Sequence, residues 1–454
     1  MNRDYILGKE KISKALMKLS IPATIAMLVN AIYNIVDTMF IGRGVGSLGI
    51  AGLTIYLPIQ IIILSFGLLI GVGTGSIVSR KLGSKDLESA SIASGNLFLT
   101  IGLFGIITSI LGLIFAENIV KLFGATGEVI PYATNYARAM FPGVLVFPLC
   151  VASNNLIRAE GNAKDAMNSM IIGMIANIFL DYLFIYVFKI GISGAGIATS
   201  ISKGLSFLYV FYYFLKKSSI KIKPKYLKLN KDILKEMLSI GSSAFTVQIS
   251  MSIVTLILNY SLYRYGGNEA ISVYGIVYKL TLFIQMPLSG LIQGMQPLVG
   301  FNLGCKNISR IKETIKINLI ISTLISAILT ALILLTPELV VKLFTTDKVL
   351  IKESSKVLKI IIMMYPILGI YMTAVGFYQS IGKGKESLVL SLLRQIIFFI
   401  PLSLVLPSTF NLGILGIWIA FPISDFLSSL CSLLFAKWQY KKMFIPYVNK
   451  TQAS

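Results

Sequence analysis

The chain has 454 residues, of which 55% are hydrophobic and 13% charged, and its mean hydropathy is +0.81. A soluble globular domain is about 25% charged, so this composition excludes a soluble protein and indicates an integral membrane protein. The formal net charge of +22 raises nucleic-acid binding as an alternative, and the absence of His excludes an imidazole relay and most transition-metal sites.

The spanning elements are predicted to be α-helices. The stretch LTIGLFGIITSILGLIFA (99–116) runs 18 residues without a charge, and a membrane helix needs about 20 apolar residues. The alternation with period two that marks a membrane β-barrel is missing. We predict an all-α membrane protein with twelve spans, at about 15–41, 51–79, 90–116, 130–157, 165–188, 193–215, 237–264, 270–301, 314–336, 354–381, 386–407 and 412–436.

The positive charges predict the orientation of these spans. With both termini cytoplasmic, the inner segments hold about 28 Lys and Arg and the outer loops about nine, as the positive-inside rule requires. The densest cluster, in KKSSIKIKPKYLKLNKDILKEM (216–237), is predicted to be a linker lying against anionic lipid. We therefore expect a multi-pass protein of the cell membrane with both termini inside and no nucleic-acid partner.

The chain repeats itself at an offset near 221. ENIVKLF (117–123) returns as ELVVKLF (338–344), and GISGAGIATSIS (191–202) as GILGIWIAFPIS (413–424). Six spans per copy make the copies parallel, and such halves are typical of transporters that rock two lobes about a cavity. We predict two pseudo-symmetric six-helix lobes, in the order first lobe 1–215, basic linker 216–236, second lobe 237–436 and tail 437–454.

Polar residues interrupt the first span, AIYNIVDTMFIG (31–42). Tyr33 and Asp37 are four residues apart and share a helix face, Asn30 extends this stripe, and Asn34 is a further candidate contact. Pro22, 15 residues before Asp37, removes a backbone hydrogen bond and permits a bend. An ordinary proline near the helix entry is the alternative at that position.

The fifth span, within ANIFLDYLFIY (176–186), places Asn177 and Asp181 on one face in the same way. An ionised Asp at the centre of a membrane helix costs at least ~2.5–3.5 kcal/mol and usually marks a pathway or a binding site. The repeat places Leu402 and Phe398 opposite Asp181 and Asn177, so the fold itself does not require these polar groups.

Asp37 and Asp181 are expected to form one site with Asn177 and with Thr199 of the sixth span. Two carboxylates in a low dielectric repel each other, so we expect the pair to hold a proton or a sodium ion between its oxygens. The alternative is that each Asp only holds helices together by hydrogen bonds. Other charges predicted to be embedded, for which internal ion pairing is the alternative, are Arg138, Lys203, Lys279, Arg394 and Asp425. Of these, Lys279 is a candidate to neutralise or compete with a cation in the second lobe.

Motifs of soluble enzymes are weak. SIGKGKES (380–387) lacks the spacing of a phosphate-binding loop and follows a membrane span rather than a strand. Cys150, Cys305 and Cys431 are too far apart for a disulfide framework or a metal motif. We expect no enzyme activity, no cofactor and no metal beyond sodium, with H⁺ or Na⁺ as the coupling ion.

Four motifs together carry a family resemblance: YNIVDTMFIGR in the first helix, SRKLGSKD after the second, IRAEGNAKDAM after the fourth and QPLVGFNLGCKN after the eighth. With them the chain resembles, over essentially its whole length, the multidrug and toxic compound extrusion (MATE) family, and most of all its bacterial DinF and MepA-like branch. The resemblance implies cation-coupled export of lipophilic, often cationic compounds by a monomer that alternates between two V-shaped states. It places the cation site on Asp37, Asn177, Asp181 and Thr199, with Tyr33 beside it and Pro22 as the bending point.

The chain departs from the NorM-like branch, which has acidic residues in the seventh and tenth spans. Here Gln248 stands at the position expected in the seventh span, and apolar residues surround Ile370 in the tenth. Two rival functions stay open at this point. One is a flippase for a lipid-linked saccharide, which would need a cavity lined with several Arg or Lys, and the other is a receptor or channel.

Overall fold

A computed structural model describes the backbone of residues 3–409 and 412–451 and the side chains of 4–409 and 412–437. All regular structure within these ranges is helical. The α-helices are α1 Arg3–Gly8, α2 Ile12–Gly44, α3 Ser47–Gly83, α4 Leu87–Ile114, α5 Ala116–Leu122, α6 Val129–Val144, α7 Phe147–Ala159, α8 Ala163–Asp181, α9 Ile192–Lys216, α10 Lys231–Gly304, α11 Ile308–Leu335, α12 Pro337–Val341, α13 Lys348–Ile361, α14 Tyr365–Ser380, α15 Gly384–Leu392, α16 Ile400–Thr409 and α17 Ile414–Thr451. Short 3₁₀ turns lie at Pro224–Tyr226 and Ile362–Met364, and π-helical turns at Tyr182–Val187 and Leu393–Phe399.

Each of the twelve predicted spans corresponds to helix in the structure. By length and composition, nine of the described helices qualify as membrane spans, and the pair α6 and α7, bent by 42°, makes a tenth. Helix α10 has 74 residues and contains the predicted seventh and eighth spans. A kink at Gly267, where the backbone is not helical (φ 64°, ψ −160°), separates the two spans. The 25-residue helix α9 corresponds to the predicted sixth span.

The backbone confirms the internal repeat. Lys85 and Lys306, which are 221 residues apart, both have positive φ, at 61° and 57°. The next residue caps a helix in each copy, because the Asp86 carboxylate accepts from the Ser89 amide at 3.0 Å and the Asn307 side chain from the Arg310 amide at 3.2 Å. Positive-φ glycines recur at the same offset, as Gly46 with Gly267 and Gly161 with Gly382.

The two copies meet at the end of the bundle that contains α1. Near this end a Cβ atom at Gly83 of α3 would overlap the backbone oxygen of Phe301 on α10, and one at Gly241 of α10 would overlap that of Leu69. Only glycine permits so close an approach of two backbones. We call this contact between α3 and α10 the glycine seam.

Hydrogen bonds reinforce the glycine seam. The Ser76 hydroxyl donates to the Gln379 backbone oxygen at 2.5 Å, and the Gln379 side-chain amide donates to the Ser243 hydroxyl at 2.9 Å. Arg80 and Glu236 form an ion pair at 2.8 Å. The halves are therefore joined firmly at one end of the bundle, and the cavity described below lies beyond this contact.

Candidate ion and substrate site

Three helices of the first half bring the predicted polar residues together. Asp37 lies on α2, Asn177 and Asp181 on α8, and Thr199 on α9, and each of these side chains is buried. Helix α8 packs against both α2 and α9. The i, i+4 spacing places Asp37 on the same face of α2 as Tyr33, and Asp181 on the same face of α8 as Asn177. These two faces meet, as the sequence predicts.

The carboxyl groups of Asp37 and Asp181 lie close enough to interact directly. Both carboxyl oxygens of Asp181 are buried and accept no hydrogen bond from the described residues, and the same holds for the Oδ1 oxygen of Asp37. Buried acceptors without a donor are costly. The pair therefore has free oxygens that a proton or a small cation would satisfy.

Asn177 and Thr199 complete a set of oxygen ligands. The Asn177 amide donates to the Thr199 hydroxyl at 3.2 Å, and its own oxygen finds no donor among the described residues. The Tyr33 hydroxyl lies against Thr199. Carboxylate, amide and hydroxyl oxygens suit a hard cation such as sodium, and the carboxyl pair alone suffices for a proton.

Asp181 is the last residue of α8, and the chain continues as the π-helical turn Tyr182–Val187. π-Helical turns are rare and often mark functional sites. The wider turn changes the direction in which residues after Asp181 face. Hydrophobic periodicity gives no signal for this feature, and the sequence analysis did not anticipate it.

A cavity of about 440 Å³ lies beside the acidic pair. The predicted supporting residues Asn30, Tyr33 and Asn34 line it, and so does Asn177 of the predicted cation site. Apolar side chains form much of its wall, among them Met27, Leu57, Leu64, Met170, Met174 and Met286. Methionine side chains adapt to ligands of different shape, so the wall suits varied apolar compounds.

The charged groups on the cavity wall are basic, which the sequence analysis did not predict. Lys203 and Arg158 line the cavity, whereas Asp37 and Asp181 are buried behind Tyr33 and Asn177 and are not part of the described lining. The Arg158 guanidinium donates to the Asn155 side-chain oxygen at 3.1 Å. Asn154, Asn155 and Arg158 follow a helical spacing on α7, a signal that could have identified this wall.

A family model settles where this chain belongs. The model described as MatE matches residues 22–183 and again residues 244–405, which together cover more than half of the chain. The chain belongs to the MATE family. The two matches correspond to the two copies of the repeat, so each half of this MATE protein carries the family pattern.

Two proteins of similar sequence support this assignment. The multidrug export protein MepA of Staphylococcus aureus strain MRSA252 is 31% identical over 432 residues, covering 95% of this chain and 94% of that protein. MepA of Staphylococcus saprophyticus is 29% identical over 431 residues, with the same coverage.

A solved MATE structure described as the bent conformation superposes with a TM-score of 0.92 at 25% identity and covers 100% of both chains. A MATE structure described as outward-facing gives 0.91 at 26% identity, covering 97% of this chain and 98% of that one. The all-helical two-lobed fold predicted from the sequence is thus confirmed.

Among its described residues, the second half of this MATE protein has no buried pair of carboxyl groups like Asp37 and Asp181. Lys279 is exposed and Gln248 is half-buried, and neither belongs to the described lining of the two cavities. The hypothesis that Lys279 neutralises or competes with a cation in this half stays a prediction. Its neighbours Val277 and Tyr278 line a second cavity.

Arg394 and Asp425 instead form a buried ion pair, with Nε and Oδ1 2.5 Å apart and side chains 17% and 1% exposed. Internal pairing was the alternative for these embedded charges, and it holds here. Arg394 lies on the wall of a cavity of about 70 Å³ with Tyr274, Gln285 and Tyr365. Arg138, by contrast, is exposed on α6.

Pro22 lies inside α2, which runs from Ile12 to Gly44. Ten residues of helix precede it, so it is not an ordinary entry proline of the first turn. The helix continues through Pro22 to Asp37. One element therefore contains the proline, the cavity residues Asn30 and Tyr33, and a carboxyl of the acidic pair.

Proposed function

We propose that this protein is a cation-coupled antiporter that exports lipophilic compounds of several kinds. The observation that carries the proposal is the buried Asp37 and Asp181 pair, whose oxygens lack donors, separated from a mostly apolar cavity by Tyr33 and Asn177. The printed name of the MepA relatives, multidrug export protein, supports the same function. Proton and sodium both fit the pair.

The coupling works through helices shared by both sites. Tyr33 and Asn177 line the cavity, and each lies one helical turn from a carboxyl of the pair. A cation that binds the pair draws α2 and α8 together and changes the cavity wall at these residues. The substrate then binds with different affinity in the two states, which is the condition for exchange.

The orientation follows from the charge distribution. With both termini cytoplasmic, the glycine seam closes the cytoplasmic end, and the cavity faces the outside of the cell membrane. In this arrangement the pair takes a proton or sodium ion from outside, and the substrate leaves. Because the cavity and the acidic pair lie within one chain, a monomer embedded in lipid suffices.

Efflux of a fluorescent dye from vesicles containing the purified protein tests the proposal. A proton gradient and a sodium gradient are imposed separately, each directed opposite to the dye movement. We expect dye efflux with one gradient, and ion flux in return only when dye is present. Ion current without dye would indicate a channel and contradict the proposal.

A second function, a flippase for a lipid-linked saccharide, gains support from Lys203 and Arg158. Two basic groups on the cavity wall suit the phosphates of such a lipid, and a wall of basic residues is the feature that this function requires. Translocation of a fluorescent lipid pyrophosphate in the same vesicles, with no gradient-driven dye efflux, would favour the flippase.

A further inference from the structure

The ammonium group of Lys203 lies against two aromatic rings of the cavity wall. Its Nζ atom is 4.8 Å from the centroid of the Tyr33 ring and 5.2 Å from that of Phe147. Aromatic faces at this distance attract cations. Lys203 thus occupies a place where the cationic group of a substrate would bind.

Lys203 is also linked to the acidic pair. Its charge interacts with that of Asp37, but among the described residues it forms no ion pair within 4.0 Å. The titratable groups beside it are Tyr33 and Asp37 from α2, Tyr56 from α3, and Cys150 and Arg158 from α7. Among these, only the Asp37 carboxyl can offset its positive charge.

The second half shows that the fold does not require a lysine here. At the repeat position equivalent to Lys203 the chain has Asp425, which is paired directly with Arg394. Lys203 lines a cavity, lies over two aromatic rings and interacts electrostatically with Asp37, but it has no ion-pair partner among the described residues. A role in transport explains this better than helix packing.

We propose that Lys203 determines the charge selectivity of the cavity and transmits the occupancy of the Asp37 and Asp181 pair to the substrate. When the pair is ionised, it draws the lysine ammonium away from the rings, and a lipophilic cation binds against Tyr33 and Phe147. When a proton or sodium ion binds the pair, the ammonium returns to the rings and displaces the cation. This inference rests on the proposed function and names the residue that links the ion site to the charge of the substrate.

Two matched probes test the inference. Tetraphenylphosphonium and tetraphenylborate have nearly the same shape but opposite charge, so their difference reports the potential in the cavity. Their binding to the purified protein is measured by equilibrium dialysis with a protein-free micelle blank. The ionised pair is represented by alkaline buffer without sodium, and the occupied pair by acidic buffer or by added sodium chloride. The variant is Lys203→Gln, and Lys203→Arg keeps the charge as a control.

For the unmodified protein we expect tetraphenylphosphonium to bind about tenfold more weakly when the pair is occupied, as for one nearby charge in a medium of intermediate dielectric. In Lys203→Gln this dependence should fall to about twofold or less, with tighter binding in the occupied state. Lys203→Arg should keep the dependence and show that the protein tolerates substitution there. Arg158→Gln removes a charge from the same cavity away from the rings, and it should change affinity equally in both states.

The outcomes separate this inference from the proposed function. Full dependence on pair occupancy in Lys203→Gln would overturn the role of Lys203 and leave the antiporter intact. Absence of any dependence in the unmodified protein would contradict the antiporter itself. Tighter binding of tetraphenylborate in both states would overturn the inference and favour the flippase.

Discussion

The Asn177 side chain on α8 donates a 3.2 Å hydrogen bond to the Thr199 hydroxyl on α9, one helical turn from Asp181. This contact leaves the Asn177 oxygen without a donor among the described residues. The bond therefore holds the amide so that its oxygen is available beside the acidic pair.

Replacement of Thr199 by Val tests this arrangement. The hydroxyl is lost at nearly constant volume, and a buried amide left without an acceptor costs about 1–3 kcal/mol. We expect a reduced affinity for the coupling ion with little change in the maximal rate, measured as dye efflux against ion concentration. Thr199→Ser, which keeps the hydroxyl, should behave like the unmodified protein, and equal ion affinity in both variants would argue against the role of this bond.

The Arg394 and Asp425 pair predicts a stability effect in the second half. Removing one partner of a buried ion pair costs about 3–5 kcal/mol, whereas replacing both by apolar residues is often close to neutral. We expect Arg394→Met and Asp425→Leu each to lower the thermal unfolding temperature in detergent, and the double variant to recover most of the loss. Additive destabilisation in the double variant would show that the two side chains do not act as a pair.

The glycine seam predicts that Gly83→Ala separates the halves at that end, because its Cβ would overlap the Phe301 backbone oxygen. Cys305 reports on this end, since its thiol donates to the Gly83 backbone oxygen at 3.1 Å. With Cys150 and Cys431 replaced by Ser, a maleimide should label Cys305 several-fold faster in Gly83→Ala. Gly204→Ala is the control, because its Cβ would meet no atom within 4 Å, and unchanged labelling in Gly83→Ala would contradict the seam.

Pro22→Ala restores a backbone donor to α2 and makes this helix stiffer. Proline is about 3 kcal/mol less favourable than alanine inside a helix, so we expect higher thermal stability together with slower dye efflux. Pro58→Ala, in the helix α3 that carries no residue of the acidic pair, is the matched control. Undiminished efflux in Pro22→Ala would remove bending of α2 from the mechanism.

Much of the fold was predictable because lipid permits few solutions. A backbone in hydrocarbon must satisfy its own hydrogen bonds, so long apolar stretches become helices, and all twelve predicted spans correspond to helices. The acidic site was predictable for a related reason, since Asp37 and Asp181 each had a polar neighbour at i, i+4. The duplication further showed that Asp181 has no acidic counterpart.

Other features depend on packing between helices and give no local signal. The π-helical turn after Asp181 is one example. The basic character of the cavity wall arises from Lys203 and Arg158, which lie 45 positions apart on α9 and α7 and meet only in the folded chain.

Exchange of dye for the coupling ion in vesicles containing Asp37→Asn or Asp181→Asn tests the central claim most directly, with Glu117→Gln as a control because Glu117 forms only an exposed pair with Lys121. We expect both Asp variants to bind dye but to lose efflux driven by the gradient, while the control keeps it. Efflux that stays undiminished and coupled to the ion gradient in both Asp variants would contradict the account.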